Sequence, residues 1–320
     1  MQIGKVLLKN KVILAPLAGV TDSPFRRLAC EMGCALVYTE MISAKGLLCA
    51  PKTMSLAYFT PAERPIAIQL FGSEPQIMAE AAAAVTGLKP DIIDINMGCP
   101  VKKVAGRGEG AALMRKPEKV FEIVKSVCAR VKIPVTVKLR KGWDESSINA
   151  VEAALAAQEG GAAAVAVHGR TREQGYSGKA DWNIIRLVKE ALQIPVIGNG
   201  DISEPRHALE MLRQTGCDAV MIGRGVLGNL WLIRRTVHFL ETGELLSEPS
   251  LKEKAALAIR QLEMAVSEKG EYVGVREMRK HFAWYLKGVR GAASLRDKVM
   301  RAKTKEEMAA VMELFLAAEK

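Results

Sequence analysis

A cysteine set just beyond an apolar strand run is the residue in this chain best suited to chemistry. Asp91-Ile92-Ile93-Asp94-Ile95 reads as a buried strand, and Asn96-Met97-Gly98-Cys99-Pro100 follows it directly. In an α/β barrel that rim, where a parallel strand gives way to a loop, is where chemistry happens. The Asn96 amide carries donors and acceptors enough to read the edge of a planar ring. Asn96 and Cys99 together suggest a polar ring held beside an acid.

Other strand ends carry unusual residues too. Ala15-Pro16-Leu17-Ala18-Gly19-Val20-Thr21-Asp22 follows the first strand run, and its Pro and Gly let backbone lie against a flat ligand. Gln69 interrupts the apolar run Ile66–Leu70. Read by itself, it fits a heterocycle edge and a hydrogen-bonded core amide equally well. Lys138 ends Val135-Thr136-Val137-Lys138-Leu139 and must face a counter-charge or a cavity, because burying it unpaired costs several kcal/mol. His168-Gly169-Arg170-Thr171 ends the sixth run. Gly198-Asn199-Gly200-Asp201 and Ile222-Gly223-Arg224-Gly225 end the seventh and eighth, where barrels bind phosphate through backbone N–H groups. A phosphate cup, a ring-edge amide, a lysine for a developing anion and a cysteine acid make a site for flavin mononucleotide (FMN). Gly106-Arg107-Gly108-Glu109-Gly110 follows no strand and is not a dinucleotide fingerprint.

These residues need a scaffold that brings strand ends together. Eight short apolar runs recur: 12–15, 35–39, 66–70, 92–95, 135–139, 164–168, 195–198 and 219–222. Each is nearly continuous, as strands buried on both faces should be. Helix-length patterns at 75–86, 117–131, 146–159, 182–192 and 204–215 lie between them, several opened by Pro in the first turn. The alternation predicts an α/β fold, a (β/α)8 TIM barrel over residues 1–242. A doubly wound sheet is the other candidate, but 15–19 is no glycine fingerprint. Beyond the linker-like 243–250, the strand signal vanishes. Helical spacing at 251–269, 274–289 and 305–318 predicts a C-terminal all-helical domain over 243–320.

The 320 residues carry a formal net charge of +11, which suits a polyanion partner and equally suits simple solubility. The tail is more pointed. Arg276, Arg279, Lys280, Lys287, Arg290, Arg296, Lys298, Arg301, Lys303 and Lys305 face only Glu277 and Asp297. That excess favours phosphate contact over a solvated helical face. The six cysteines show no metal or disulfide spacing and read as reduced thiols. With no signal-peptide pattern and no membrane-length apolar run, the expectation is a cytoplasmic protein.

The motifs at 15–22, 69–72, 96–100, 137–140, 168–171, 198–201 and 223–225 resemble, in order, those of the tRNA-dihydrouridine synthases. The continuation Val101-Lys102-Lys103-Val104 resembles the bacterial B-type subgroup. Leu17 departs from the Met common there. The resemblance implies bound FMN, NADPH (or NADH) as reductant, tRNA as partner, and 5,6-dihydrouridine as product. It implies that Pro16, Leu17 and Ala18 line the flavin, Gln69 pairs with its pyrimidine edge and Lys138 sits at its N1–O2 side. Asn199, Gly200, Asp201, Gly223 and Arg224 would hold the phosphate end, with His168 nearby. Asn96 would read the target uracil, and Cys99 would protonate C5 after hydride reaches C6. Arg170 and the tail residues Arg276, Arg279, Lys280 and Arg290 would contact tRNA. No metal and no obligate protein partner are implied.

Two other readings use the same residues. An FMN barrel acting on a small pyrimidine, of the dihydroorotate or dihydropyrimidine type, leaves the basic tail without a role. A non-catalytic tRNA-binding protein leaves Gln69, Cys99 and Lys138 without one.

Overall fold

Continuous apolar runs can form strands only where both faces are covered, and here they form a parallel barrel wrapped in helices. The computed structural model describes residues 1–288 and 291–317. The strands are β1 (Gln2–Ile3), β2 (Val6–Leu7), β3 (Val12–Leu14), β4 (Val37–Tyr38), β5 (Ile42–Ser43), β6 (Ile66–Phe71), β7 (Ile92–Asn96), β8 (Val135–Arg140), β9 (Ala164–His168), β10 (Val196–Asn199) and β11 (Ala219–Ile222). The barrel runs β3-β11-β10-β9-β8-β7-β6-β4, all parallel. A parallel bridge between Ile13 and Leu36 brings its two ends together. β5 extends β6 toward the rim. The β1–β2 hairpin, which apolar patterning does not signal, tucks Ile3 into the same buried cluster as Ile13, Ala67, Ala164 and Ile197 and plugs the barrel bottom.

Around the barrel lie α1 (Ser23–Glu31), α2 (Ala44–Cys49), α3 (Pro75–Thr86), α4 (Lys102–Ala105), α5 (Pro117–Arg130), α6 (Ala150–Glu159), α7 (Trp182–Ala191), α8 (Pro205–Thr215) and α9 (Trp231–Thr242). α3, α5 and α8 begin on proline, whose missing N–H costs nothing at a first helical position. α6 starts four residues later than its spacing predicts. The Asp144 carboxylate accepts from the hydroxyls of Ser146 and Ser147, and this turn competes with helix.

The tail comprises α10 (Leu251–Lys269), α11 (Glu271–Tyr285), α12 (Ala292–Arg301) and α13 (Lys305–Ala317). Gly274, expected to open the second of these helices, lies inside α11. A Cβ there would stand 2.8 Å from the Val266 backbone N, so glycine lets α10 and α11 cross closely. α12 has no counterpart among the expected helices, although its buried Ala292, Leu295 and Val299 recur every three or four residues. The tail docks on α1 through the pairs Arg27–Glu268 (2.7 Å), Arg260–Glu31 (2.6 Å) and Lys269–Asp22 (2.5 Å). Pairs at or near the surface, as these are, contribute only about 0.2–1 kcal/mol each. More of the docking stability comes from the apolar seam, where Phe25 and Leu28 share one core with Leu262, Val275 and Phe282. The seam sets the tail beside the barrel's C-terminal mouth.

Candidate active site

The barrel interior changes character along its axis. Near the hairpin it is lined by Ile and Ala; toward the strand C-termini it becomes polar. Period-two alternation and register explain why. Gln69, Asp94 and Thr136 are direct partners across β6, β7 and β8, and Asn96 faces Lys138 one layer up. Asp94 is fully buried. It accepts from Gln69 Nε2 at 2.7 Å and from Thr136 Oγ at 2.5 Å. Burial pushes its carboxyl up to about 7, against the pull of those two bonds and the Lys138 charge. Burial, with Arg140 beside it, pushes Lys138 down to about 8, while Asp94 opposes the shift. The Lys138 ammonium donates to Asn199 Oδ1 at 3.1 Å, and the Asn199 amide in turn donates to the Met221 carbonyl.

Above this floor opens a cavity of about 1450 Å³, lined by Pro16, Leu17, Ala18, Gln69, Asn96, Cys99, Lys138, His168, Arg170, Asn199, Gly200, Asp201, Gly223 and Arg224 among others. The structure thus brings residues scattered over two hundred positions of sequence to one mouth. Asn96 Nδ2 donates to Gln69 Oε1 at 2.9 Å, and Asn96 Oδ1 accepts from the backbone N–H groups of Gly98 (3.2 Å) and Cys99 (2.9 Å). The Asn96 carbonyl therefore serves the turn that carries Cys99. From the other side, Arg140 Nε holds the Gly98 carbonyl at 2.7 Å. Burial raises the Cys99 thiol above its ordinary value, partly opposed by a backbone bond at Val101 and by Arg140. A thiol so placed stays protonated at neutral pH, as a proton donor requires and a nucleophile does not.

The opposite wall is cationic. Burial, then the charges of Lys138, Arg140, Arg170 and Arg224, drive the His168 pKa far below its ordinary value, so the imidazole is neutral. Gly200, at φ +131°, sits where a Cβ would stand 2.6 Å from Ala180 Cβ. A side chain at Gly223 would project beside Ala15 and Leu17 into the cleft. The Arg224 guanidinium lies 4.7 Å over the Tyr176 ring.

Several of the expected residues have partners within the protein. Arg170, expected to touch tRNA, is 2% exposed, and its donors go to Ser177 O, Gly178 O and both Asp201 oxygens. It braces the loop at the cavity wall. Asp201, expected in the phosphate cup, spends its carboxylate on Arg170 and on the Ala180 N–H. Arg279 caps α12 through the Ala302 carbonyl at 2.6 Å. Lys280 turns toward Gly19 and Glu40 at the barrel rim. Arg276 is exposed and stacks on Tyr272 at 3.4 Å, and Arg290 lies outside the described residues. Arg140 and Tyr176 join the site without having been expected there. Arg140 is legible in principle, since it follows Lys138 by two on the same strand face. Lys254, Trp284 and Lys287 also line the cavity; Lys287 belongs to the basic run of the tail, and no motif marks the other two.

An eight-stranded parallel barrel with its polar cavity at the strand C-termini has the architecture of a TIM-barrel enzyme. The chain belongs to the dihydrouridine synthase family, an oxidoreductase family whose model, Dihydrouridine synthase (Dus), matches residues 13–319. It is 45% identical over 312 residues to the tRNA-dihydrouridine synthase B of Xanthomonas axonopodis pv. citri, covering 97% of this chain and 94% of that one. It is likewise 45% identical over 311 residues to a probable tRNA-dihydrouridine synthase 1 of Synechocystis sp., covering 96% of this chain and 86% of that one. Among solved structures, histamine dehydrogenase from Rhizobium sp. 4-9 matches with a TM-score of 0.57 at 14% identity, over 82% of this chain and 50% of that protein. That likeness concerns the fold alone. No helix among the described residues is long and apolar enough to cross a membrane.

Proposed function

We propose that this protein uses FMN and NADPH to reduce uridines of the tRNA D-loop to 5,6-dihydrouridine, in the cytoplasm. The observation that carries the reading is Cys99: a protonated thiol on a braced turn, at the edge of a cationic cavity. The residues present fit FMN. Lys138 is a half-buried ammonium with Asn199 as its hydrogen-bond acceptor, so its remaining donors face the cavity and suit the flavin N1–O2 edge. The four cations that depress His168 create a field suited to a phosphate dianion, and the Gly223 cleft leaves room for the phosphate end. Bound FMN would supply hydride, taken from NADPH, to C6 of the uracil.

The chain's own residues do the rest. Cys99 donates its proton at C5. Asn96 holds the Cys99 turn and keeps one amide N–H for the uracil edge. A uracil stacked within RNA cannot reach the cavity and must be flipped into it. Lys254, Trp284 and Lys287 from the tail stand at the same mouth, which favours a macromolecular substrate over a small pyrimidine. On this reading residues 1–242 form the catalytic barrel and 243–320 the tRNA-binding domain. The test has two parts: the flavin absorbance of purified protein supplied with FMN, and dihydrouridine in tRNA from a deletion strain with and without the gene. Absence of a flavin band, or tRNA whose dihydrouridine is the same in both strains, sinks the proposal.

A further inference from the structure

The buried carboxylate of Asp94 does not line the cavity and reaches it only through Gln69. Its surroundings make it more than a filler. It sits on β7 between Gln69 of β6 and Thr136 of β8, with Tyr38 of β4 and Lys138 of β8 as the ionisable groups facing it. Both of its oxygens accept hydrogen bonds here, one from Gln69 and one from Thr136. The Gln69 amide must therefore turn its NH2 end down to Asp94, at 2.7 Å. Its carbonyl then faces Asn96, which can only answer with its own NH2 end, at 2.9 Å. The Asn96 carbonyl is thereby left to accept from the Gly98 and Cys99 N–H groups. Every amide in the chain points the same way, held at one end by the Gly98 and Cys99 N–H groups, which only donate, and at the other by Asp94.

We propose that Asp94 is a positioning residue: it anchors the buried end of the Gln69–Asn96 amide chain, whose other end the Gly98 and Cys99 N–H groups hold, and so steadies both the amide face offered to the flavin and the turn that carries Cys99. Reversing Gln69 would set its NH2 against that of Asn96. Asn96 would have to reverse in turn, and its NH2 would then oppose the Gly98 and Cys99 N–H groups. The turn would lose both of its side-chain bonds. Thr136 contributes by holding the second carboxylate oxygen, at 2.5 Å, which fixes the rotation of Asp94.

This inference rests on the proposed flavin chemistry, and Asp94→Asn tests it. Asparagine keeps the shape but replaces the charged acceptor with an amide that can turn its NH2 toward Gln69 or Thr136, so the buried end of the chain is no longer firmly held. Titration of flavin-free D94N with FMN should show affinity lowered about 3- to 10-fold and a displaced visible absorption band, the loss expected of one mis-set hydrogen bond. Reduction of the bound flavin by NADPH should change less than about threefold. Its reoxidation by tRNA should slow about 10- to 100-fold at unchanged KM for tRNA, the range expected when a reacting group is misplaced by about 1 Å. Thr136→Val, which frees the carboxylate to rotate, should show the same pattern at smaller size, and it carries the test should D94N not fold. Wild-type affinity, spectrum and tRNA half-reaction in the folded variants overturn the proposal. Wild-type protein that neither binds FMN nor acts on tRNA defeats the functional reading instead, so the two failures are distinguishable.

Discussion

Cations serve the barrel mouth and the helical tail in opposite ways. At the mouth Arg140 and Arg170 are buried and Lys138 half-buried; all three converge on one cavity and are tied to named acceptors. In the tail Arg276, Arg296 and Lys298 are exposed and spread along two helices. Buried, convergent charge fixes one small anion at one place, and its strength comes from low dielectric. Exposed, dispersed charge suits a polyanion, and its strength comes from released counterions. Breaking the first should therefore alter chemistry and cofactor, and breaking the second should alter affinity and salt dependence.

The largest expected effect is at the thiol. Cys99→Ala should leave FMN binding and reduction by NADPH intact and slow reoxidation by tRNA on the order of 10²- to 10⁴-fold. Stopped-flow traces of the two half-reactions separate these outcomes, and a wild-type tRNA step would remove Cys99 as the acid. Next in size, Lys138→Met should weaken FMN binding by about ten- to a hundredfold, as loss of a charged hydrogen bond worth about 1.5–3 kcal/mol implies. Equilibrium titration of flavin-free protein reads this directly.

Lys138 also makes a pH prediction with two opposite signs. Its ammonium is lost as pH rises through about 8, so FMN affinity should fall above that point. The unfolded chain keeps this proton to a higher pH than the folded one. Flavin-free protein should therefore gain stability from this group as pH rises beyond about 8. Both trends should flatten in Lys138→Met, and parallel curves for the two proteins would contradict the assignment.

In the tail, Arg276→Ala, Arg296→Ala and Lys298→Ala combined should weaken tRNA binding and lower the log–log salt slope by roughly one for each phosphate left without its cation. FMN content should not change. An unaltered slope would move the RNA surface to the barrel rim. The smallest effect is expected at Arg279→Ala. It should lower tail stability by about 1 kcal/mol through removal of the Ala302 cap while leaving the salt slope alone. Hydrogen exchange at α12 against tRNA affinity distinguishes capping from RNA binding.

Much of this molecule is legible in one dimension. A doubly covered parallel strand must be apolar on both faces, so the eight runs and the helices between them announce a barrel. Its rim motifs fall directly after those strands, and so Gln69, Asn96, Cys99, Lys138 and His168 stand out in the sequence alone. Partnership is not legible. That Asp94 lies under Gln69 follows from strand register, which pairs residues 25 positions apart. That Arg170 is consumed by Asp201 and Arg279 by Ala302 depends on loops and helices folding back, and a charged letter looks alike exposed or engaged. The presence of Lys254, Trp284 and Lys287 at the cavity depends on how the apolar seam between α1 and the tail sets barrel and helices together. Periodicity and residue type determined which elements form and which rim residues could act, because local propensity and burial are written along the chain. Which of those residues face the cavity free to act, and which are spent holding their neighbours, was decided by tertiary packing, because hydrogen bonds and buried charges are satisfied by neighbours in space.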